Sequence, residues 1–198
     1  MKLVLATRNR HKLEEIQAIF NLPHLHLFSA FDFPEVPDVE ETGTTFDENA
    51  ALKATALMKA TGLWALADDS GLEVDALQGA PGVYSARFAG EPVSYQANNE
   101  KLLRLLAGVT DRAARFRCVL CLAAPDGRRF LLEGRCEGRI AEQPSGRGGF
   151  GYDPLFVPDG ETITFADMPP EKKNRISHRA RALARAANEW THLLRDDA

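Results

Sequence analysis

The stretch Ala65-Leu66-Ala67-Asp68-Asp69-Ser70-Gly71 is an apolar run that ends in two adjacent carboxylates, a hydroxyl and a glycine. The apolar residues that begin at Trp64 predict a short buried strand, and Asp, Ser and Gly are typical of the turns that end strands. Polar residues at the end of a strand often bind ligands in α/β proteins. The pattern predicts either an exposed acidic turn or a functional site at a strand's end.

The carboxylates of Asp68 and Asp69 repel each other unless they are well solvated or share a cation. Oxygen ligands alone favour Mg²⁺ or Mn²⁺. Taken by themselves these residues favour the ordinary turn, because Asp, Ser and Gly are common turn residues. The rest of the chain decides whether a metal site is present.

The size and composition are those of an ordinary globular protein. The chain has 198 residues, of which 44% are hydrophobic and 26% are charged, enough to bury one sizeable core. No linker separates two halves, so we expect a single domain over residues 1–198. No apolar run reaches the ~18 residues that span a membrane, and the start lacks a signal peptide's apolar region. We therefore expect a cytoplasmic protein that binds no membrane.

The net charge and the cysteines argue against two classes of function. A net charge of −4 disfavours a broad nucleic-acid surface but leaves a small anionic ligand open. Cys118, Cys121 and Cys136 lack the further cysteines or histidines of a zinc site. Because side chains alternate along a strand, Cys118 and Cys121 are predicted on opposite faces, and we expect reduced core thiols.

A basic segment follows the first predicted strand, residues 2–6. Thr7-Arg8-Asn9-Arg10-His11-Lys12 precedes a helical apolar pattern that begins at Leu13. A strand, a basic loop and a helix start direct backbone N–H groups and the helix dipole at an anion. The segment predicts phosphate binding, with a solvated connection as the alternative. It is not a P-loop, because the G-x-x-x-x-G-K-[ST] pattern does not occur in the sequence.

The next helix is predicted from the capping box of Thr45 and Glu48 and ends at Gly62. Asn49 and Lys53 are four residues apart and share one face of this helix. That face is either solvated or functional. In the functional case, Lys53 is directed at the carboxylates of the following strand.

The middle of the chain predicts a scaffold. Ser94 caps a helix over residues 95–107. Residues 115–124 and 130–136 predict a β-hairpin joined by a Pro-Asp-Gly turn. The leucines expected to be buried in the helix are Leu102, Leu103, Leu105 and Leu106.

Two features stand out near the C-terminus. Residues 146–154, G-R-G-G-F-G-Y-D-P, place two aromatic residues among glycines, a pattern that suits a stacked base and a buried core equally. Asp167-Met168-Pro169-Pro170 then opens a helical region with one apolar stripe over residues 176–194. Three polar residues gather in the first half of this region, namely Lys173, His178 and Arg179.

Together these motifs resemble the Ham1-like family of non-canonical purine nucleoside triphosphate pyrophosphatases, in particular the bacterial dITP/XTP pyrophosphatases. The resemblance covers nearly the whole chain. It rests on Thr7-x-Asn9-x-x-Lys12, Glu41-Thr42-Gly43, Phe46-x-Glu48-Asn49-Ala50-x-x-Lys53-Ala54, Ala67-Asp68-Asp69-Ser70-Gly71-Leu72, Pro81-Gly82-x-Tyr84-Ser85-Ala86-Arg87, Gly149-Phe150-Gly151-Tyr152-Asp153-Pro154 and Ile176-Ser177-His178-Arg179.

The resemblance implies an α/β fold with a mixed, elongated central sheet flanked by helices, in two closely joined lobes with the active-site cleft between them. It implies a homodimer that uses Mg²⁺ to split dITP, ITP and XTP into the monophosphate and pyrophosphate, which removes them from the nucleotide pool. Glu40 and Asp69 would bind the metal, and Asp69 would also accept a proton. Asp68 would be a further metal ligand, or a group that contacts the metal ligands without binding the metal. The residues that would contact the nucleotide are Thr7, Arg8, Asn9, Arg10, His11, Lys12, Lys53, Ser70, Phe150, Gly151, Tyr152, Asp153, Lys173, His178 and Arg179.

Two of these residues carry more specific expectations. Arg8 stands where many members of the family have glycine, and we expect it to point outward. Arg179 is expected to donate to the oxygen at C6 of hypoxanthine or xanthine, where adenine carries an amino group.

Three other interpretations remain open on the sequence. The nearest is a Maf-like pyrophosphatase that acts on modified pyrimidines. The second is a nucleotide sensor without catalysis. A structural protein that binds Ca²⁺ through the acidic stretch is the weakest, because no EF-hand spacing occurs.

Overall fold

The computed structural model describes residues 1–20, 22 and 24–194. Among these residues the strands form one mixed sheet with the order β2-β1-β3-β4-β5-β6, flanked by helices, which confirms the predicted fold class. The strands are β1 (Lys2–Leu5), β2 (His26–Ser29), β3 (Trp64–Val74), β4 (Ala113–Ala123), β5 (Arg129–Ile140) and β6 (Phe156–Pro158). The helices are α1 (Arg10–Ile19), α2 (Phe46–Thr61), α3 (Tyr95–Leu105), α4 (Pro170–Ile176) and α5 (His178–Glu189), with 3₁₀ helices at Ala30–Asp32, Asp75–Leu77 and Gly82–Arg87.

The chain folds into two compact units. The first unit comprises Met1–Asp69, Cys118–Gly134 and the segment that begins at Arg179, and the second comprises Ser70–Arg117 and Arg135–His178. Strands β3, β4 and β5 each contribute residues to both units, because the boundaries fall within these strands.

The core of the first unit is built on parallel strands. β1 pairs in parallel with β2 and β3, and Leu5 lies opposite Leu66 of β3. Both faces of a parallel sheet are usually covered, which fits the complete burial of Leu3, Val4 and Leu5. The buried core residues of this unit are Leu3, Leu5, Ile16, Phe20, Leu66, Cys118, Leu120, Leu122, Leu132, Ala182, Leu183, Ala186, Trp190 and Leu194.

The core of the second unit gathers around helix α3 and the aromatic residues of β4 and β6. Leu102 of α3 and Leu106, which directly follows the helix, are fully buried, but Leu105 is 45% exposed, so its predicted burial is wrong. An α-helix has about 3.6 residues per turn, so four leucines spread over five consecutive positions cannot all face one side. The buried residues of this core are Leu72, Val74, Leu102, Leu106, Ala114, Phe116, Cys136, Ile140, Tyr152, Leu155, Phe156, Phe165 and Met168.

Strand β3 departs most from the sequence prediction. It does not end at Ala67 but continues through the acidic stretch to Val74. Asp68 and Asp69 are therefore buried strand residues and not part of a turn. The prediction of a turn is wrong because it treated the carboxylates as unpaired, whereas each has a lysine partner in the fold.

Other local predictions are confirmed in part. Thr45 and Glu48 form the capping box of α2, and Gly62 ends that helix in the left-handed conformation. Helix α1 begins at Arg10, earlier than the apolar pattern indicated, because Asn9 caps it. The helical region predicted near the C-terminus is two helices, α4 and α5, because the backbone of Ser177 between them is extended.

The predicted hairpin is present and joins β4 to β5. The Gly127 N–H donates to the Ala124 carbonyl at 2.8 Å, and Gly127 has φ +91°, a conformation that glycine adopts without strain. The cysteines Cys118, Cys121 and Cys136 are buried thiols that form no disulfide in the described part of the chain, as expected. Within the part of the chain that the structure describes, no helix combines the length and the apolar character that crossing a membrane requires.

Candidate active site

The basic segment forms the start of α1 in the first unit. The Asn9 side-chain oxygen accepts from the backbone N–H groups of His11 at 3.0 Å and Lys12 at 3.3 Å, and Thr7 Oγ1 accepts from the Asn9 N–H. Arg10 and His11 are exposed, and Lys12 is half-buried. The first turn of a helix carries partial positive charge, which adds to the charge of these side chains. This part of the first unit therefore suits an anionic group.

Arg8 forms hydrogen bonds to the segment that follows β2. Its guanidinium contacts acceptors of the first unit, and the shortest of its bonds to a carbonyl measures 2.7 Å, to Val36. The acceptors are the Asp38 carboxylate and the carbonyls of Ala30, Phe33 and Val36. The guanidinium of Arg8 is thus engaged with protein acceptors and orders residues 30–38.

Asp68 lies on one face of β3 and is completely buried. Its Oδ2 is 3.1 Å from Lys12 Nζ and 2.9 Å from Arg179 Nη2. Arg179 is itself buried and forms a second ion pair with Glu15 of α1. Helices α1 and α5 therefore supply two cations and one further carboxylate to this face of the strand.

Asp69 lies on the opposite face of β3, because side chains alternate along a strand. Its Oδ1 accepts a hydrogen bond from Lys53 Nζ of α2 at 2.8 Å. The same ammonium donates to Glu41 Oε1 at 2.8 Å. The hypothesis that Lys53 is directed at the carboxylates of the next strand is therefore confirmed, and Glu41 joins them.

The pKa values of the two aspartates are shifted in opposite directions. Burial alone would raise the pKa of Asp68, but Lys12 and Arg179 hold it well below its usual range. Burial raises the pKa of Asp69, and the opposing charges of Lys53 and Lys12 do not cancel that effect. Adjacent carboxylates in different environments are a common basis for different chemical roles.

The resemblance implies that Glu40 binds metal with Asp69, and this stays a prediction; the structure shows that Glu41 contacts the lysine that binds Asp69. Glu40 is exposed, whereas Glu41 is half-buried against Lys53. The Gly43 N–H donates to Asn49 Oδ1 at 2.8 Å, which holds the preceding residues along the first turns of α2. In the sequence, the only indication that Glu41 contacts this site was that Asn49 and Lys53 lie on the same face of α2.

In the second unit, residues 146–154 form the glycine-aromatic loop. Asp153 Oδ2 accepts from the Phe150 N–H at 2.8 Å and from Lys173 Nζ at 2.5 Å, and both charged residues are buried. A Cβ atom on Gly149 would lie 1.9 Å from Asp153 Oδ2, so the turn requires glycine there. The Lys173 ammonium also lies 5.3 Å from the centre of the Phe150 ring. The loop is thus held in one conformation.

The two aromatic residues of the loop differ in exposure. Tyr152 is 3% exposed, belongs to the core, and donates its hydroxyl to the Ser85 carbonyl at 2.9 Å. Phe150 is half-buried and lies 6.1 Å from the ring of Tyr95. Of the two rings, Phe150 is the one with an accessible surface for a base.

His178 and Arg179 are consecutive but have different partners. His178 is buried in the second unit, where its ring stacks on Phe116 with 4.6 Å between the centroids. Arg179 belongs to the first unit, and its guanidinium contacts Asp68 and Glu15. Ser70 is half-buried in β3.

The family of the chain follows from its similarity to known proteins. A model of the Ham1 family matches residues 3–189. The chain belongs to the Ham1 family. The match includes all the candidate site residues, from Thr7 to Arg179, so the resemblance that the motifs predicted is confirmed.

Curated relatives match this Ham1-family protein over most of their length. It is 55% identical over 188 residues to a dITP/XTP pyrophosphatase of Desulforamulus reducens, with 94% of each chain covered. It is 54% identical over 185 residues to a dITP/XTP pyrophosphatase of Geobacter sulfurreducens, with 92% of this chain and 93% of the relative covered.

Solved structures match it over nearly the whole chain. The Ham1 protein of Staphylococcus aureus superposes with a TM-score of 0.88 at 42% identity, covering 98% of this chain and 100% of that one. A HAM1 protein from Coxiella burnetii gives a TM-score of 0.89 at 42% identity, covering 97% and 99%. The fold of this Ham1-family protein is therefore that of its relatives.

Proposed function

We propose that this protein hydrolyses dITP, ITP and XTP to the nucleoside monophosphate and pyrophosphate, and thereby keeps these nucleotides out of DNA and RNA. The proposal draws its substrate from the relatives named dITP/XTP pyrophosphatase. The structural observation that carries it is the position of Asp69, buried, with a raised pKa, and bonded to a lysine that also binds Glu41.

Asp69 is the proposed general base. In the reaction, the oxygen of a water attacks the α-phosphorus while the bond from that phosphorus to the bridging oxygen breaks and pyrophosphate leaves. The attacking water loses a proton to the Asp69 carboxylate. A carboxylate with a raised pKa is a better proton acceptor, and a positioned base typically contributes about 10²–10⁴-fold in rate.

The carboxylates of Asp69 and Glu41 fit an Mg²⁺ ion. In the described part of the chain, no cluster of three or more His, Cys, Asp or Glu residues is arranged to hold a metal. Mg²⁺ needs fewer protein ligands than that, because it is commonly bound by one or two carboxylates together with substrate phosphates. We therefore propose Glu41, in place of Glu40, as the second carboxylate. When bound, Mg²⁺ supplies positive charge to the phosphate oxygens.

Positive side chains of the first unit are proposed to hold the triphosphate. The residues at or just before the start of α1 are Thr7, Arg10, His11 and Lys12. Lys53 of α2 lies beside Asp69. Charge neutralisation and positioning are most of what a protein contributes to phosphoryl transfer. Two further members of the predicted set are assigned a supporting role, namely Arg8, which orders residues 30–38, and Asn9, which caps α1.

Asp68 and Arg179 are proposed to support this site through their mutual ion pair. The Asp68 carboxylate contacts Lys12 and Arg179 and is completely buried, which favours a role in placing Lys12 over a role as a metal ligand. The Arg179 guanidinium contacts the carboxylates of Asp68 and Glu15, which hold it in place within the first unit.

Residues of the second unit are proposed to bind the nucleoside. The half-buried ring of Phe150 would stack on the base, and the backbone of the glycine-aromatic loop would contact its edge. Lys173 supports this loop through Asp153 and stands next to the Phe150 ring. The remaining proposed contacts are Ser70, Gly151, Tyr152 and His178.

The proposal is tested by measuring pyrophosphate release from dITP, ITP, XTP, ATP, GTP and pyrimidine triphosphates, each with Mg²⁺ and with EDTA. We expect rapid release from dITP, ITP and XTP only, and no release with EDTA. Preference for a modified pyrimidine triphosphate would favour the Maf-like alternative. Tight binding of ITP without pyrophosphate release would favour a sensor.

We also propose that the protein is a cytoplasmic homodimer, a proposal that rests on the resemblance to the family. Light scattering after size-exclusion chromatography tests the oligomeric state. A mass of twice 21.8 kDa is expected, and a mass of 21.8 kDa would contradict the proposal.

A further inference from the structure

Helix α3 contacts the glycine-aromatic loop at two points within the second unit. Asn99 Nδ2 donates to the Gly151 carbonyl oxygen at 2.9 Å, and the Tyr95 ring lies 6.1 Å from the Phe150 ring. Tyr95 and Asn99 are four residues apart and therefore share one face of the helix. This face of α3, which the sequence indicated only as scaffold, supports the part of the loop that is proposed to bind the base.

The bond from Asn99 sets the direction of one peptide group. In a planar trans peptide, the carbonyl of Gly151 and the N–H of Tyr152 point in opposite directions. Because Asn99 binds the carbonyl, the Tyr152 N–H is directed away from Asn99. This N–H has no hydrogen-bond acceptor among the described residues, although Tyr152 is 3% exposed. Buried backbone N–H groups nearly always pair with the protein, a water or a ligand, so this N–H is available as a donor to a bound base.

The neighbouring asparagine shows what a purely structural amide does in this helix. Asn98 accepts from the Ala89 N–H at 2.7 Å and donates to the Ala86 carbonyl at 2.8 Å, so both ends of its amide are bonded. Asn99 Oδ1 is buried, and in the described part of the chain it has no hydrogen-bond partner. The bond to Gly151 is therefore the contact that orients the Asn99 amide.

We propose that Asn99 is a positioning residue for base selection, an inference that rests on the proposed function. By holding the Gly151 carbonyl, Asn99 presents the Tyr152 N–H as a donor for the oxygen at C6 of hypoxanthine or xanthine. Adenine carries an amino group at C6, which would leave two donors facing each other without an acceptor. Sites built around a buried hydrogen bond discriminate strongly against a ligand that cannot complete it.

The test compares Asn99→Asp with the unchanged protein on ITP and ATP. The carboxylate has nearly the same shape but opposes the Gly151 carbonyl, so the peptide turns and its N–H is lost to the base. We expect kcat/KM for ITP to fall roughly 10–100-fold, mainly through KM, as for a buried polar group left unpaired. The rate with ATP should change less than about threefold, so the preference for ITP over ATP narrows.

A matched control and a second variant make the test decisive. Gln96→Glu makes the same chemical change on an exposed part of α3 and should alter neither rate. Asn99→Ala removes the donor without adding a charge and should narrow the preference by roughly 3–10-fold, which also covers the case that Asn99→Asp does not fold. Equal losses with ITP and ATP in both Asn99 variants would mean a structural role and would overturn the inference.

Binding of IMP and AMP, measured by calorimetry, separates this inference from the proposed function. If the unchanged protein releases no pyrophosphate, the proposed function fails, whereas the ratio of the IMP and AMP dissociation constants still reports base selection. A ratio that Asn99→Asp and Asn99→Ala leave unchanged would contradict the role of Asn99, and a smaller ratio would support it.

Discussion

The two faces of β3 hold the same type of side chain in different electrostatic environments. On one face, Asp68 and Glu15 are paired with Lys12 and Arg179, so the charges in these ion pairs balance. On the other face, Asp69 and Glu41 both contact the ammonium of Lys53, so these two ion pairs set two carboxylates against one cation.

This difference in charge balance assigns different roles to neighbouring residues. A buried carboxylate between two cations has its pKa lowered and is held in one place, which suits a structural ion pair. Burial raises the pKa of Asp69, the negative charge of Glu41 adds to that effect, and the charges of Lys53 and Lys12 do not cancel it. A carboxylate in this setting favours an additional cation. The packed helices, more than the residue type, therefore decide which aspartate is reactive.

The largest expected effect comes from removing the charge on the reactive face. Asp69→Asn should lower kcat for pyrophosphate release from ITP by roughly 10²–10⁴-fold, because the proton acceptor is lost. Stopped-flow or endpoint assays of pyrophosphate check this. Turnover close to that of the unchanged protein would rule out Asp69 as the base.

Removing the charge on the balanced face should act on stability. Asp68→Asn leaves the buried Arg179 and the half-buried Lys12 without their shared carboxylate, and breaking a buried ion pair in this way costs about 3–5 kcal/mol. Urea unfolding followed by circular dichroism measures the loss. A variant as stable as the unchanged protein would show that the Asp68 pairs contribute little.

The assignment of the second carboxylate is sharpened by a pair of neighbouring variants. Glu41→Gln should weaken the apparent affinity for Mg²⁺ in the activity assay by roughly 10–100-fold, the usual scale for a lost partner at a metal site. Glu40→Gln, at an exposed position, is the matched control and should change it less than about threefold. The reverse order of effects would return the role to Glu40.

The smallest expected effect concerns the helix that carries Lys53. Thr45→Ala removes the N-cap of α2 and should lower the free energy of unfolding by about 1 kcal/mol, with kcat unchanged. Denaturant unfolding measures the stability and pyrophosphate release measures kcat, both on the same sample. A large loss of kcat would mean that the position of Lys53 depends on the cap.

Much of the fold could be predicted because its signals are local. The capping box at Thr45 and Glu48, the cap at Ser94 and the hairpin turn at Gly127 each depend on residues within a few positions of one another. The family motifs added the residues of the site, because their order along the chain is specific even where each motif is weak.

The continuation of β3 through Asp68 and Asp69 could not be predicted from the local sequence. Asp68 and Asp69 stay within the strand because Lys12, Lys53 and Arg179 come to them from three different helices. A window of a few residues contains none of these cations, so it indicates a turn. Long-range pairing of charges decided this element.

The roles of individual side chains were the least predictable part of the site. That Arg179 contacts the base stays a prediction, and the structure adds that its guanidinium contacts two carboxylates, which the sequence did not indicate. Glu41 was missed because its approach to Lys53 depends on the hydrogen bond between Gly43 and Asn49. Which side of a chain reaches a partner is a property of the packed structure.

The central claim is that the two aspartates of β3 divide catalysis and stability between them. The most direct test measures both the free energy of unfolding and kcat for ITP in Asp68→Asn and in Asp69→Asn. We predict that Asp69→Asn loses turnover while it keeps nearly full stability, and that Asp68→Asn shows the larger loss of stability. Equal effects of the two variants on both quantities would contradict the account.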